Sequence, residues 1–394
     1  MMRIELLLCA FLIALLTALF MFPLVLRFAN QNQIVDNPNE RKLQRRPIPV
    51  LGGVVVFLGL LIALVVGVIH GECSSLYPIF LAIVILLCVG TIDDMKGLSA
   101  LLRLLIEVGV VLMLILLNDV SINHFYGVFG VYAVFDEYAI PLTIFASVGI
   151  INAINLIDGV DGLSSGFGIM ASIMFGLHFW WVGDFSMALL ACVTTGALIP
   201  FFLHNVFGFS SKMFMGDGGT LVLGVIMSIF VISILDAESM SAQYIPREVG
   251  LIPFTLAVLS IPVFDTLRVM LMRILNGVSP FHPDKTHLHH IFIAIGCSHP
   301  GTTFLILSLN SLIVVGWFIA VLMGASVHQQ LGIVIYSGVL GTFGLYAFIA
   351  WQVNHETRFL KVLRRLGRAT HIQRTGVFCW LQHWVDETLL FRRK

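Results

Sequence analysis

Eleven stretches of about twenty mostly apolar residues constrain this chain more than any other feature of its sequence. They lie at about 6–28, 48–69, 76–92, 101–117, 139–156, 163–182, 185–204, 218–236, 249–273, 302–323 and 331–351. In hydrocarbon every backbone N–H and C=O must pair within its own segment. An α-helix of about 20 residues does so while crossing a bilayer core roughly 30 Å thick. Composition agrees: of 394 residues, 58% are hydrophobic and 11% charged, with a mean hydropathy of +0.99. Soluble domains carry about a quarter charged residues, and a soluble globule of this size lacks the interior to hide so much apolar surface. The expectation is an all-α polytopic membrane protein. It has about 11 transmembrane helices over residues 1–351 and a basic amphipathic cytoplasmic tail over 352–394. The first stretch is too long for a cleavable leader and lacks a small-x-small exit, so it reads as an anchor.

Orientation follows from the basic residues. With the amino terminus outside, all of the 22 Lys and Arg residues except Arg3 and Arg247 fall at or near the inner ends of spans. That is the bias of cytoplasmic loops. The formal net charge is zero, so no bulk attraction to nucleic acid is expected. Six scattered cysteines without a C-x-x-C pair argue against a disulfide framework or a cysteine zinc site. In the tail, Phe359, Leu360, Val362, Leu363 and Leu366 recur at helical spacing among basic residues, and Phe378, Trp380, Leu381 and Trp384 follow. That pattern predicts a helix lying on an anionic membrane surface, so the bilayer itself is one partner.

This topology sorts the acidic residues onto one side. Asp93 and Asp94 end the third stretch. Asn155, Asp158 and Asp161 sit at the end of the fifth, in Asn-Ala-Ile-Asn-Leu-Ile-Asp-Gly-Val-Asp-Gly. Asp217 opens the eighth, in Met-Gly-Asp-Gly-Gly, and His282, Asp284, Lys285, His287, His289 and His290 occupy the 274–301 loop. One composite site at the cytoplasmic face is the economical reading. Each cluster also has a plain alternative: a solvated helix cap for the Asp pair, simple turns for the Asp-Gly string, a cap for Met-Gly-Asp-Gly-Gly. Two carboxylates at a lipid boundary nevertheless repel and lose water, so they call for a cation. Glycines beside acids permit tight turns and close approach of phosphates. The histidines lack zinc spacing and fit a clamp on phosphate or sugar better. Oxygen donors without a thiolate point to Mg2+, with Mn2+ as its substitute. Asp265 and Arg268, three residues apart, read as an ion pair inside the bundle. His70, His124, His178, His204 and His328 have no clustered partners and are assigned no role. There is no Walker loop and no dinucleotide fingerprint. The residues suggest metal-dependent phosphoryl transfer onto a lipid carrier.

At these positions the chain resembles the polyprenyl-phosphate N-acetylhexosamine-1-phosphate transferase family. The motifs are Asp-Asn-Pro-Asn-Glu-Arg-Lys…Pro-Ile-Pro-Val-Leu-Gly-Gly (36–53), Asp93–Asp94, Asn152–Gly162, Lys212–Gly219 and Ser279–His290. In the last, Leu288 interrupts the histidines, as in the undecaprenyl-phosphate N-acetylglucosamine-1-phosphate transferase branch. The resemblance implies transfer of GlcNAc-1-phosphate, or that of another UDP-N-acetylhexosamine, to undecaprenyl phosphate with release of UMP, as a first membrane step of cell-envelope polysaccharide synthesis. It implies magnesium at Asp217 and Asn155, and a role for Asp93 and Asp94 with the lipid phosphate or as base. Arg103 would be a phosphate partner, Asp158 and Asp161 would shape the nucleotide pocket, and His287, His289 and His290 would hold the diphosphate or sugar. Leu101 stands where some relatives have a second base, and Gly218-Gly219-Thr220 departs from the family's usual residues after Gly-Asp. A location in the bacterial inner membrane follows, and a homodimer is compatible with it.

The attacking phosphate, with a second pKa near about 6, is largely ionised at neutral pH and needs little help from a base. Direct in-line attack is favoured over a covalent aspartyl-phosphate. A transporter is the non-enzyme alternative, although its sites usually lie near the midplane between repeats.

Overall fold

The computed structural model describes residues 2–38, 46–71, 75–280, 282, 284–372 and 376–388. Arg41, Lys42, Arg45, Arg374 and Arg392–Lys394, which entered the orientation argument, lie outside the described residues, as do Cys73, Phe281 and Pro283. Among the described residues ten helices are long and apolar enough to span a membrane, and a bent pair makes an eleventh. The chain is an all-α polytopic membrane protein, divided into two compact units.

The first unit comprises the described parts of Met1–Val120, Ser164–Phe230 and Gln373–Lys394. Helices α1 (Met2–Gln31), α2 (Gly52–Ile69) and α7 (Phe185–Phe207) pack together in it. Small residues allow this. Ala10, Ala14 and Ala18, spaced four apart, are wholly buried on α1, and a Cβ on Gly196 would meet the Phe11 carbonyl at 2.6 Å. Close backbone approach of this kind replaces the hydrophobic driving force that is missing between helices in lipid. The opposite stripe of α1, with Leu8, Leu12, Leu16 and Phe20, stays exposed as a lipid-facing surface should. Helices α3 (Leu76–Lys96) and α4 (Ala100–Asn118) form a hairpin, and Ser99 caps α4 by accepting from the Leu102 amide. A short antiparallel ladder pairs β1 (Val35–Asp36) with β2 (Ile48–Pro49). The unit also holds α6 (Leu163–Val182) from Ser164 onward, the start of α8 (Gly216–Leu235), and α17 (Gly376–Thr388).

The second unit covers Ser121–Leu163 and Val231–Ile372. It contains α5 (Asp136–Leu156), the short α9 (Met240–Tyr244), α10 (Leu251–Val258), α11 (Ser260–Leu275), α12 (Leu288–Ala294) and α13 (His299–Leu322). Helices α14 (Val327–Val339) and α15 (Leu345–Asn354), joined by a π-turn, make one long span, and α16 (Arg358–Ala369) follows. The ninth apolar stretch, 249–273, reads in the sequence as one span. It is broken instead, α10 meeting α11 at 76°. Pro262 has no N–H to offer the carbonyl four residues back. The freed groups are taken by Asn310 of α13, whose amide donates to the Val258 carbonyl at 2.9 Å and whose oxygen accepts from the Ile261 amide and the Ser260 hydroxyl, both at 3.0 Å. Irregular backbone at membrane depth persists only where protein supplies such partners.

The tail departs in part from its expected surface role. Phe359, Val362 and Leu366 of α16 are exposed beside its basic residues, as an interfacial helix requires. On α17, however, Phe378 is buried with its ring 5.0 Å from that of Phe207, and Val385 is buried too, because α17 packs on α7. Trp380 and Trp384 remain outward.

Candidate active site

In the first unit, glycines bring three helices into backbone contact around Asp217. A Cβ on Gly90 of α3 would lie 2.4 Å from the Gly218 nitrogen, and one on Gly53 of α2 would lie 2.4 Å from the Gly219 nitrogen. Since real Cβ atoms do not approach backbone so closely, both positions admit only glycine. The segment leading into α8 is braced by the Pro-Val-Leu-Gly-Gly motif. Phe214 donates to the Pro49 carbonyl at 2.8 Å, while Gly52 and Gly53 donate to the Phe214 and Met215 carbonyls at 3.0 Å. Gly216 then turns with φ +72, a conformation other residues adopt at a cost.

The carboxylates divide their work. Asp94 accepts from the Asp217 amide at 3.0 Å and the Gly218 amide at 3.3 Å, so a side chain of α3 caps the exposed amides of α8. Asp93 accepts from the Leu98 amide at 2.6 Å and from Arg103 at 3.2 Å. The same guanidinium lies 3.7 Å from Asp217 and 3.6 Å from Glu107. Glu107, wholly buried on α4, is a member sequence reasoning missed; its signal was a lone acid in an apolar run, which in a membrane demands a partner. Three carboxylates thus gather around one guanidinium, and Asp217 is the most open of them with its side chain 35% exposed. A cluster with surplus negative charge and only oxygen donors suits a hard divalent cation. Among the described residues no three His, Cys, Asp or Glu side chains form a ready cage. Magnesium needs none, since it keeps waters and takes one or two carboxylates with substrate phosphates.

In the second unit, α5 ends in the turn that carries Asn155, Asp158 and Asp161, with the Asp158 amide donating to the Asn155 carbonyl. Asn155 and Asp158 are half-buried. Asp161 lies 3.0 Å from His299 at the start of α13, and Thr303 donates to its carbonyl, so the turn is fastened by two residues that the sequence did not single out. The histidines reach the same turn. A Cβ on Gly159 would sit 2.1 Å from Nε2 of His289. The rings of His287 and His289 stack in parallel at 5.8 Å, and His290 lies 4.2 Å from His289.

Asp265 anchors this group. One oxygen accepts from Arg268 at 2.7 Å, the other from Nδ1 of His287 at 3.0 Å, and the Leu288 amide adds a third bond. The expected ion pair is therefore present and carries the histidine loop with it. Arg268 also donates to the Thr286 carbonyl and stacks on Tyr346, while Arg273 binds Asp284 at 2.8 Å and the Pro280 carbonyl. Partial burial would raise the Asp284 carboxyl, but its bonds from Arg273 and Thr286 hold it well below the usual carboxylate range. With Nδ1 of His287 donating to Asp265, its buried Nε2 has no hydrogen-bond partner among the described residues. Burial lowers His289 well below the usual imidazole value and His290 to about 4, so both stay neutral near pH 7 and act as hydrogen-bonding groups.

Of the residues expected from the sequence, Asp93, Asp94, Arg103 and Asp217 come together in the first unit. Asn155, Asp158, Asp161, His287, His289 and His290 belong to the second, where Gly159 and His289 join turn and histidine loop. His204, given no role, bonds Ser211 at 2.9 Å next to the Asp217 segment.

Comparison with known proteins supplies relatives. Residues 76–235 match the model of glycosyl transferase family 4. A Bacillus subtilis (strain 168) protein named a probable undecaprenyl-phosphate N-acetylglucosaminyl 1-phosphate transferase is 32% identical over 74% of this chain and 78% of its own. The undecaprenyl-phosphate alpha-N-acetylglucosaminyl 1-phosphate transferase of Escherichia coli (strain K12) is 28% identical over 90% of this chain and 94% of its own. That of Yersinia pestis is 31% identical over 67% and 70%.

Proposed function

The chain belongs to glycosyl transferase family 4, and on that footing we propose that it transfers N-acetylglucosamine-1-phosphate from UDP-N-acetylglucosamine to undecaprenyl phosphate, releasing UMP. It works in a bacterial inner membrane with its site toward the cytoplasm, a placement that the bias of Lys and Arg toward one side supports. The observation that carries the reading is the surplus of carboxylates around Arg103, with Asp217 the most open among them.

Asp217 is the residue assigned to Mg2+, for which Mn2+ would substitute. When bound, the ion neutralises charge on the diphosphate. Arg103 offers its guanidinium to phosphate oxygens, a planar fork suited to them. Asp93 orients that guanidinium and takes up any residual proton from the attacking phosphate. Asp94 holds the first amides of α8 and so fixes where Asp217 points. Neutral His289 and His290, with Nε2 of His287, which has no hydrogen-bond partner among the described residues, suit hydrogen bonds to the sugar-phosphate. The attack is direct and in-line, so positioning and charge neutralisation supply most of the rate. Asn155, the second residue expected to bind the ion, is tested by its own Ala variant in a magnesium titration.

The test is UMP release from UDP-N-acetylglucosamine by purified protein with undecaprenyl phosphate and magnesium. Release that depends on all three supports the reading; no UMP from any UDP-sugar overturns it. Pre-incubation without lipid separates the routes, since labelled enzyme and stoichiometric UMP would replace direct attack by a covalent one.

A further inference from the structure

We propose that Asp386, on α17, is a positioning residue for this transfer: it holds the 209–211 segment and through it the backbone that presents Lys212 and Asp217. The proposal rests on the transferase reading above. One oxygen of Asp386 accepts from the Ser211 amide at 3.0 Å and the Ser211 hydroxyl at 2.7 Å. The other accepts from the amides of Phe209 at 3.1 Å and Ser210 at 3.3 Å. A carboxylate that gathers successive amides in this way replaces water at donors which secondary structure leaves unused. These bonds hold the Asp386 carboxyl below its ordinary value although burial alone would raise it.

The anchored segment runs directly into the Asp217 motif, and every step is tied. Ser211 also meets His204, whose ring stacks on Phe22 at 3.9 Å. Asn205 donates to the Met213 carbonyl at 2.8 Å, Phe214 and Met215 pair with residues 49–53, and Asp94 holds the amides of Asp217 and Gly218. Four of these ties come from α2, α3 and α7 and from Pro49 of β2. The fifth comes from α17, which is docked by Phe378 against Phe207 and by buried Val385. Together with His204 on Ser211 and Asn205 on Met213, it brackets Lys212, whose ammonium lies 5.9 Å over the Phe214 ring. Removing the carboxylate leaves three amides to compete for water and the Ser211 hydroxyl with His204 alone, and the register of residues 209–212 loosens.

The experiment compares full-length wild type with Asp386→Ala, Asp386→Asn and Ser211→Ala, with Glu387→Gln as control, since Glu387 pairs with His383 on the exposed face of α17. The readouts are UMP release and amide hydrogen exchange over residues 208–215. A misplacement of about 1 Å in an active site costs about 100-fold in rate. Asp386→Ala is therefore expected to lower kcat roughly 10- to 100-fold with KM for the UDP-sugar nearly unchanged. Faster exchange in 208–215 accompanies the loss, and Asp386→Asn, which keeps one acceptor, is intermediate. Wild-type kcat in Asp386→Ala, whether exchange or melting temperature changes or not, means that the contact is structural only, and overturns the proposal alone. If wild type itself releases no UMP from any UDP-sugar, the transferase reading falls and takes this proposal with it.

Discussion

Replacing Asp265 by leucine separates what this buried carboxylate does for stability from what it does for the histidine loop. In wild type it compensates Arg268, which is 2% exposed, and receives His287 and the Leu288 amide. Deleting one partner of a buried ion pair strands the other, at about 3–5 kcal/mol. For a unit of this size each kcal/mol shifts a melting midpoint by about 2–4 °C, so Asp265→Leu should melt roughly 6–20 °C below wild type. Arg268→Met strands the carboxylate and should cost a similar amount, eased by His287. The double variant Asp265→Leu/Arg268→Met replaces the pair with apolar groups, an exchange often neutral for stability. Its midpoint should recover most of the loss, whereas UMP release should stay depressed, because nothing then holds Nδ1 of His287. Thermal unfolding followed by tryptophan fluorescence and a UMP assay on the same samples give both numbers. A double variant that melts lower than either single, with the two losses simply adding, would show that the pair is not coupled. Full turnover in Asp265→Leu would show that His287 needs no anchor.

Asp217→Ala should abolish magnesium-dependent UMP release while leaving the melting profile near wild type; activity at ordinary magnesium would exclude Asp217 as principal ligand. Asp94→Asn should lower kcat about 100-fold by unsettling the first amides of α8, and wild-type rates would remove that role. Gly90→Ala forces a Cβ onto the Gly218 backbone and should cost about 1–3 kcal/mol together with most activity, while Gly109→Ala on α4, with nothing within 4 Å, should be silent in both assays. His289 is held neutral in the fold with a depressed pKa, so its contribution to stability is complete above the unfolded value near 6.5 and declines as pH falls below it. Lowering the pH from 7 to 5 should therefore lower the melting midpoint, with a slope that flattens in His289→Gln.

The spans were legible because the bilayer imposes its length on each of them, and ten of the eleven apolar stretches are continuous helical spans close to their expected bounds. The break in the ninth was not. Pro262 announced that one backbone bond would be missing, but a proline three positions into a helix is also an ordinary helix start. What decides between the two is Asn310, fifty residues away, whose amide replaces the lost bonds. The ion pair Asp265–Arg268 was visible because its partners are three residues apart on one helix. Its attachment to His287 was not, since His287 lies 22 positions further on, beyond an irregular loop.

The carboxylates mark the same boundary more sharply. Adjacent acids at a lipid boundary advertise a need for positive charge, yet the two resolve it differently. Asp93 takes the Arg103 guanidinium, whereas Asp94 takes helix-end amides of α8 that carry only partial charge. Nothing in the dipeptide distinguishes them. The distinction arises because Gly90, one turn earlier on α3, lets the start of α8 slide against its backbone and brings amides, rather than side chains, within reach of Asp94. A glycine inside an apolar run reads locally as a weak helix former. Its purpose appears only with the strand of chain that fills the missing Cβ's place. Asp386 follows the same logic: near the end of the sequence, outside every family motif quoted above, it looks like a solvated acid on a tail helix. Three amides and a hydroxyl from residues 209–211 give it a place beside the segment that carries Asp217.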